Sequence, residues 1–255
     1  MRPAKTLLLL LALALIAGGL FVWWMPAELA YRYGGRYLGA ATLTGLRGTL
    51  WDGHADGVSV LGRDLGELDW HARKGPLLRG RLVADVRVKG ADVDVAGAVT
   101  READGSLLAH DLRFSVPAEI LAPVLDLGGA RLLGTIDGVV GQARFATTAL
   151  SDVSGSARWS GAGVSGQRTL TVSDLLADFA SRPDGSVGGS VRDDGRGELV
   201  VDGTFTVTFA GFDAQATLAA RDRAGPLAES LRSIGEPQAD GTTRIVVHGR
   251  TLNAL

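Results

Sequence analysis

Gly80-Arg81-Leu82-Val83-Ala84-Asp85-Val86-Arg87-Val88-Lys89 carries Leu82, Ala84, Val86 and Val88 on one parity and Arg81, Asp85, Arg87 and Lys89 on the other. A repeat of two residues puts successive side chains on opposite faces of a strand, so one face is buried and the other wet. Val93, Val95 and Val99 continue the pattern after Gly90, and Leu108, His110, Leu112, Phe114 and Val116 line one face of a further strand. Near the C-terminal end Leu199, Val201, Phe205, Val207 and Phe209 share one parity, and Phe212, Ala214, Ala216 and Leu218 the other. The switch at Ala210-Gly211 predicts a β-bulge or a bend within one long strand, because a bulge inserts one unpaired residue. A last strand is predicted over Thr243 to His248. Pro117 to Leu125 and Pro226 to Ile234 each read as a short helix opened by proline. The predicted fold class is all-β, a mainly antiparallel, long, curved or twisted sheet with two short helices.

Composition agrees. Of 255 residues 36 are glycine, about twice the usual share, while proline numbers only 8 and no three-residue repeat runs through the chain. Collagen and proline-rich linkers are thereby excluded, and many tight turns between short strands are indicated. Eight aspartates, at 52, 56, 104, 137, 184, 194, 202 and 240, are each followed by glycine. Such pairs signal hairpins where strands flank them, although Asp202-Gly203 interrupts a continuous strand pattern. Gly48-Thr49-Leu50, Gly134-Thr135-Ile136 and Gly203-Thr204-Phe205 read as strand starts. A formal net charge of -2 implies no polyanionic partner, and the absence of cysteine removes disulfides, thiolate metal sites and cysteine nucleophiles.

Leu7 to Met25 contains no charged residue and opens with five leucines, a run close to the ~20 residues that cross a bilayer as a helix. Arg2 and Lys5 precede it, so residues 1–6 form a cytoplasmic stub, 7–25 a transmembrane anchor, and the remainder lies across the membrane. Bulky Phe21, Val22, Trp23, Trp24 and Met25 occupy the positions where a signal peptidase needs small side chains, which predicts an uncleaved anchor. Residues 26–40 carry Leu29, Tyr31, Arg32, Tyr33, Arg36, Tyr37 and Leu38. They read either as a membrane-proximal amphipathic segment or as a first packed helix of the exported part. Residues 41–255 form the β-rich periplasmic domain.

The chemistry-bearing residues form no catalytic or metal-binding pattern. The four histidines, His54, His71, His110 and His248, include no pair at helical or alternate spacing. His110 falls on the apolar face of its strand pattern, His71 and His248 on polar faces, and His54 beside Asp52-Gly53. Gly161-Ala162-Gly163-Val164-Ser165-Gly166 has the spacing of a dinucleotide fingerprint. Gln167 to Val172, which follows, alternates like a strand instead of opening a helix, so the match reads as a loop. Asp92 with Asp94, and Asp85 with Arg87, read as solvated faces. His71 to Lys89 concentrates Arg73, Lys74, Arg79, Arg81, Arg87 and Lys89 against Asp85, a basic patch that suits an anionic lipid or an acidic protein. No catalytic, cofactor-binding or metal-binding residue is predicted. Trp51 and Trp70 are expected to anchor sheet packing.

Gly48-Thr49-Leu50-Trp51-Asp52-Gly53-His54-Ala55, then Leu68-Asp69-Trp70, then Leu77-Leu78-Arg79-Gly80-Arg81-Leu82, resemble the N-terminal portion of the type II secretion system protein N family. The resemblance implies an inner-membrane protein with a β-rich periplasmic domain and no catalytic residues. It further implies a part played in exporting folded proteins across the outer membrane of a Gram-negative cell, through contacts with inner-membrane platform proteins or the secretin. A long sheet with one apolar face is also similar to AsmA-type lipid carriers, which implies lipid binding or lipid transfer as the alternative. An exported hydrolase would need a Ser/His/Asp cluster.

Overall fold

The computed structural model describes residues 24–35, 41–60, 62–76, 80–102, 104–122, 131–146, 149–166, 169–171, 173–208, 211–222, 225–232 and 235–250. Most of the predicted anchor lies outside them, and no helix among the described residues is long and apolar enough to cross a membrane. The chain divides into two compact units at Ala91/Asp92. Every described strand pairing is antiparallel.

The first unit opens with helix α1 (Ala27–Gly34) and continues as a meander of β1 (Ala41–Gly48), β2 (Asp52–Val60), β3 (Arg63–Arg73) and β4 (Leu82–Lys89). Pro26, extended at φ -61° and ψ 144°, delivers the chain into α1, where Glu28 in the first turn and Arg32 in the last suit the helix dipole. The register sets Leu46 beside Ala55, Ala55 beside Leu68, and Leu68 beside Val88. This apolar row alternates with a charged one, Arg47, His54, Asp69 and Arg87. The alternation read from 80–89 is thus the face pattern of the whole meander.

The second unit contains β5 (Asp94–Arg101), β6 (Leu107–Pro117), β7 (Arg131–Ala146), β8 (Ala149–Ser165), β9 (Thr169–Thr171), β10 (Leu175–Ser181), β11 (Val187–Asp193), β12 (Leu199–Val207), β13 (Gly211–Ala220), β14 (Glu236–Pro237) and β15 (Thr243–Arg250). Strands pair in chain order, except that β9 pairs only with the end of β8 and β15 lies between β13 and β14. Helix α2 (Pro226–Arg232) precedes β14. Its Leu231 is 2% exposed and packs with Leu199, Val201, Leu218 and Ala220. A second cluster joins Ala109, Ala143, Val153 and Val187, with Phe179 and Val207 against it. Full burial of each valine or leucine in these clusters is worth about 1.5–3 kcal/mol.

Three expectations change. The change of parity is neither a bulge nor a bend in one strand. β12 and β13 are antiparallel neighbours, the Thr208 N–H donates to the Gly211 carbonyl at 2.8 Å, and Val207 pairs with Phe212. A hairpin that pairs an odd with an even residue flips the parity of its inward side chains, which is the signal the sequence carried. Of the helix predicted over Pro117 to Leu125, the described residues, to Ala122, show a four-residue 3₁₀ turn, Ala118–Leu121, and Pro117 is extended and still paired with Thr135; residues 123–125 lie outside the described residues. His110 does not share a face with Leu112 and Phe114. Asp111 adopts a left-handed φ of 49°, and the β5–β6 register shifts between Ala96 and Ala98. Ala109 enters the core cluster, whereas His110 is half-buried opposite Gln142.

Candidate interaction surfaces

At the outer edge of β1, α1 takes the place of a neighbouring strand. The Leu50 N–H donates to the Met25 carbonyl at 2.9 Å, Pro26 bridges Thr49, and the Leu43 N–H donates to the Tyr31 hydroxyl at 3.1 Å. Ala27 is 3% exposed. Trp24 and Tyr33 point away from this contact and are 72% and 69% exposed. The described part of 26–40 is therefore a helix packed against the first unit, with an exposed aromatic before it and another in its last turn.

The charged face of the first unit is cross-linked by ion pairs. Arg47 meets Asp56 at 2.7 Å. His54 places Nδ1 2.8 Å from Asp69 and Nε2 3.3 Å from Asp56. His71 lies 3.6 Å from Asp52, and Arg73 holds Asp85 with two hydrogen bonds of 2.8 and 2.7 Å. The Asp69 hydrogen bond raises the His54 pKa, and the Arg73 hydrogen bond lowers that of Asp85. Asp85 is thus a paired carboxylate, and Arg73, one of the cations of the predicted basic patch, is engaged by it. Arg79 lies outside the described residues. Asp92 is exposed and precedes β5, while Asp94 stands on β5 opposite Ser115.

Both tryptophans singled out in the sequence pack as anchors. Trp70 donates its indole N–H to the Leu50 carbonyl at 3.1 Å, and its ring lies across Gly53, its partner in register. Trp51 is 8% exposed, and its carbonyl accepts the Ala72 N–H at 2.6 Å.

In the second unit Gly161 and Gly163 of the fingerprint-like stretch form strand, not loop, and Gly166 follows the end of β8. Gly163 pairs with Leu133 inside β8, while Gly161 takes φ +61° at a bulge. Beside that bulge the Asp174 carboxylate accepts the Gly161 N–H at 3.0 Å and both an Nε and an Nη of Arg158. These donors hold its pKa below the usual range. Asp193 accepts N–H groups from Val201 at 3.0 Å and Gly195 at 2.9 Å, and pairs with Arg221. Burial pushes its pKa up, and these donors outweigh burial, so the net shift is downward. On the polar face, a trough of about 510 Å³ has Val139 and Leu176 in its lining, with Arg113, Arg192, Asp137 and Asp178 among the charged residues. His248 contacts Asp213 at 2.5 Å. Among the described residues no three His, Cys, Asp or Glu side chains come close enough to hold a metal.

Sequence reasoning missed the Tyr31 cap and the Asp193–Arg221 pair, since both depend on contacts between residues 12 and 28 positions apart. It also missed why several strand glycines are glycine. That becomes visible only once Gly53 stands opposite Trp70, Gly138 opposite Phe114 and Gly189 opposite Phe205.

Residues 40–246 match the family model described as "Type II secretion system (T2SS), protein N". A "Type II secretion system protein N" from Vibrio cholerae is 32% identical over 141 residues, covering 54% of this chain and 56% of that protein. The matched stretch therefore spans about half the length of this curated relative. No solved structure matches the chain.

Proposed function

The chain belongs to the type II secretion system protein N family, and on that premise we propose that it is a noncatalytic component of that machinery. It is held in the inner membrane by Leu7 to Met25, with the strands in the periplasm, and it contacts platform proteins or the secretin. The observation that carries this reading is the family match over residues 40–246, which takes in β1 to β14 and most of β15. The charged face of the first unit supports it, because Arg47, His54, Asp69 and Arg87 stand in one row across four strands, three of them exposed. Opposite charges arranged in rows give a surface that selects partners by electrostatic fit.

The test is site-specific crosslinking from Arg47 and His71 in cells secreting a folded substrate. Crosslinks to a platform protein or the secretin, together with reduced secretion in a strain lacking the chain, are the expected results. Unchanged secretion with no machinery protein at either position overturns the reading.

A second reading, lipid binding, is favoured by one observation. Phe114, Phe179 and Phe205 lie over Gly138, Gly155 and Gly189 on the apolar side of the second unit, and all three rings are half-buried. Rings flattened on glycines leave a smooth apolar surface suited to acyl chains. Lipid retained by the purified full chain in native mass spectrometry, in place of protein crosslinks, would support this reading over the first.

A further inference from the structure

We propose that the first unit stands on the bilayer by its β1 edge, with α1 lying in the headgroup layer between membrane and sheet. The proposal rests on the anchor reading given above and adds an orientation to it.

The chain has almost no slack after the predicted anchor. The apolar run ends at Met25, and the Met25 carbonyl is already bonded to Leu50, with the Pro26–Thr49 bridge next to it. A helix emerging from a bilayer at Trp24 therefore delivers the chain straight onto the end of β1. From there α1 runs back along the outer edge of β1, since Pro26 sits beside Thr49 and Tyr31 beside Leu43. β2 occupies the other edge of β1.

The side chains of α1 sort accordingly. Ala27 and Tyr31, one turn apart, face the sheet, while Arg32 and Tyr33 are exposed. Trp24 and Tyr33 are the two most exposed of the large hydrophobic side chains among the described residues. Trp24 lies in the turn just before α1, and Tyr33 in the last turn of α1. An aromatic at each end with arginine between is the composition of an interfacial helix. If both aromatics reach the headgroups, α1 lies parallel to the membrane plane, as does β1 beside it. The meander then climbs away from the bilayer by about 4.8 Å per strand. β4 stands about 14 Å beyond β1, with the ~10 Å thickness of α1 added below.

The chain contains no cysteine, so single-cysteine labels report without background. The full chain is reconstituted in phosphatidylethanolamine/phosphatidylglycerol vesicles containing a nitroxide lipid with its spin label near the headgroup. An environment-sensitive fluorophore is placed at Arg32→Cys on α1 and at Lys89→Cys on β4. The expected result is severalfold stronger quenching at position 32 than at 89, with the difference abolished when Trp24 and Tyr33 are both replaced by serine. Equal quenching at the two positions overturns the proposal. So does a label at 32 that is unquenched by the lipid yet shielded from aqueous iodide, which would assign the face to a protein partner or a second copy. Alkaline carbonate extraction separates the premises: release of the chain from the vesicles overturns the anchor and the seating together, whereas retention without quenching overturns the seating alone.

Discussion

The indole of Trp70 on β3 lies across Gly53 on β2, and a Cβ at position 53 would come within 2.2 Å of the ring. The ring has little room to withdraw, because its N–H is held by the Leu50 carbonyl at 3.1 Å. Gly53→Ala is therefore an overpacking change, expected to destabilise the first unit by about 1–3 kcal/mol. Urea unfolding followed by tryptophan fluorescence measures it. An unchanged midpoint would show that the ring moves aside freely. Pairing Gly53→Ala with Trp70→Leu should restore part of the loss, since the obstacle is then gone.

The same arrangement recurs in the second unit, where Phe114 covers Gly138 and Phe205 covers Gly189. An aromatic ring shields the backbone that glycine leaves bare, so the pair is a packing unit. Gly138→Ala and Gly189→Ala are each expected to lower stability by a similar ~1–3 kcal/mol. The two sites lie on different strand pairs and share no partner, so their effects should add in the double variant. A strongly non-additive double variant, measured by chemical unfolding, would show that the rings are coupled through the sheet.

Asp193 is held by two backbone N–H groups and Arg221, with its side chain 7% exposed. Removing one partner of a buried pair leaves the other charge uncompensated, at a cost of about 3–5 kcal/mol. Arg221 is 44% exposed and can turn to water, so Asp193→Ala is expected at or below the lower end of that range. The folded-state pKa of Asp193 is depressed. Its contribution is thus present above the unfolded value near 4 and is lost as pH falls through the folded value. The wild-type chain should lose stability in acid more steeply than Asp193→Asn. Parallel curves for the two proteins below pH 4 would remove Asp193 from the account.

How much of this could be read from the residues alone depends on whether the physics is local. The alternation of 80–89 is local, and it gave the faces of β4 and of the strands around it. The Asp-Gly pairs show the limit. Asp104-Gly105-Ser106, Asp184-Gly185-Ser186 and Asp240-Gly241-Thr242 form one repeated turn, in which the carboxylate accepts both the N–H and the O–H of the residue two further on. The glycine has φ near +80° in each of the three, a value that favours glycine over any other residue. Asp52-Gly53, Asp137-Gly138 and Asp202-Gly203 carry the same dipeptide within strands, where Gly53 and Gly138 answer to rings on neighbouring strands. Local sequence does not separate the two uses, because the second is set by register. His110 was misplaced for a related reason: a single left-handed residue, Asp111, reverses the parity on which the reading depended.

Those turns yield a further expectation. Their serines lower the pKa of Asp104 and Asp184 by side-chain and backbone hydrogen bonds. Replacing Ser106 or Ser186 by alanine removes the hydroxyl donor but keeps the N–H. The carboxyl of Asp104 or Asp184 should then titrate closer to an ordinary aspartate in a carbon-detected NMR titration. Glycine in place of the aspartate should slow hairpin closure, which hydrogen exchange at Glu102 or Arg182 would register. Unmoved titration curves in both serine variants would mean that the backbone N–H alone sets the carboxylate.

His54 supplies a pH dependence of the opposite sign. Its pKa is raised, first by the hydrogen bond to Asp69 and then by the nearby charges of Asp69, Asp56 and Glu67. A raised folded-state pKa means that its contribution is complete below the unfolded value near 6.5 and disappears as pH rises through the folded value. Arg47 faces the same group through its pair with Asp56. The His54 side chain is 30% exposed and its partner Asp69 62%, so the pair is screened by solvent and the effect should be weak in stability and clear in titration. Imidazole shifts followed by NMR should give an apparent pKa for His54 above that of a free histidine, falling toward it in Asp69→Asn. Coincident titrations in the two proteins would remove the hydrogen bond as the cause.

Tyr31 connects the edge of the sheet to the helix before it. Its hydroxyl accepts the Leu43 N–H at 3.1 Å, which gives an edge-strand amide a partner that no neighbouring strand supplies. Tyr31→Phe keeps the ring packed and deletes only the acceptor, so the expected loss is about 0.5–1.5 kcal/mol, the net worth of one hydrogen bond. Because the bond closes α1 onto β1, the loss should appear as local opening of that edge, with exchange at the Leu43 amide faster by up to about tenfold. Amides of β3, two strands inward and bonded to β2 and β4, should be unaffected. Faster exchange throughout β1 to β4 would instead mean that α1 holds the whole first unit together. Unchanged exchange at Leu43 would mean that water replaces the hydroxyl without cost and that the edge does not need its cap.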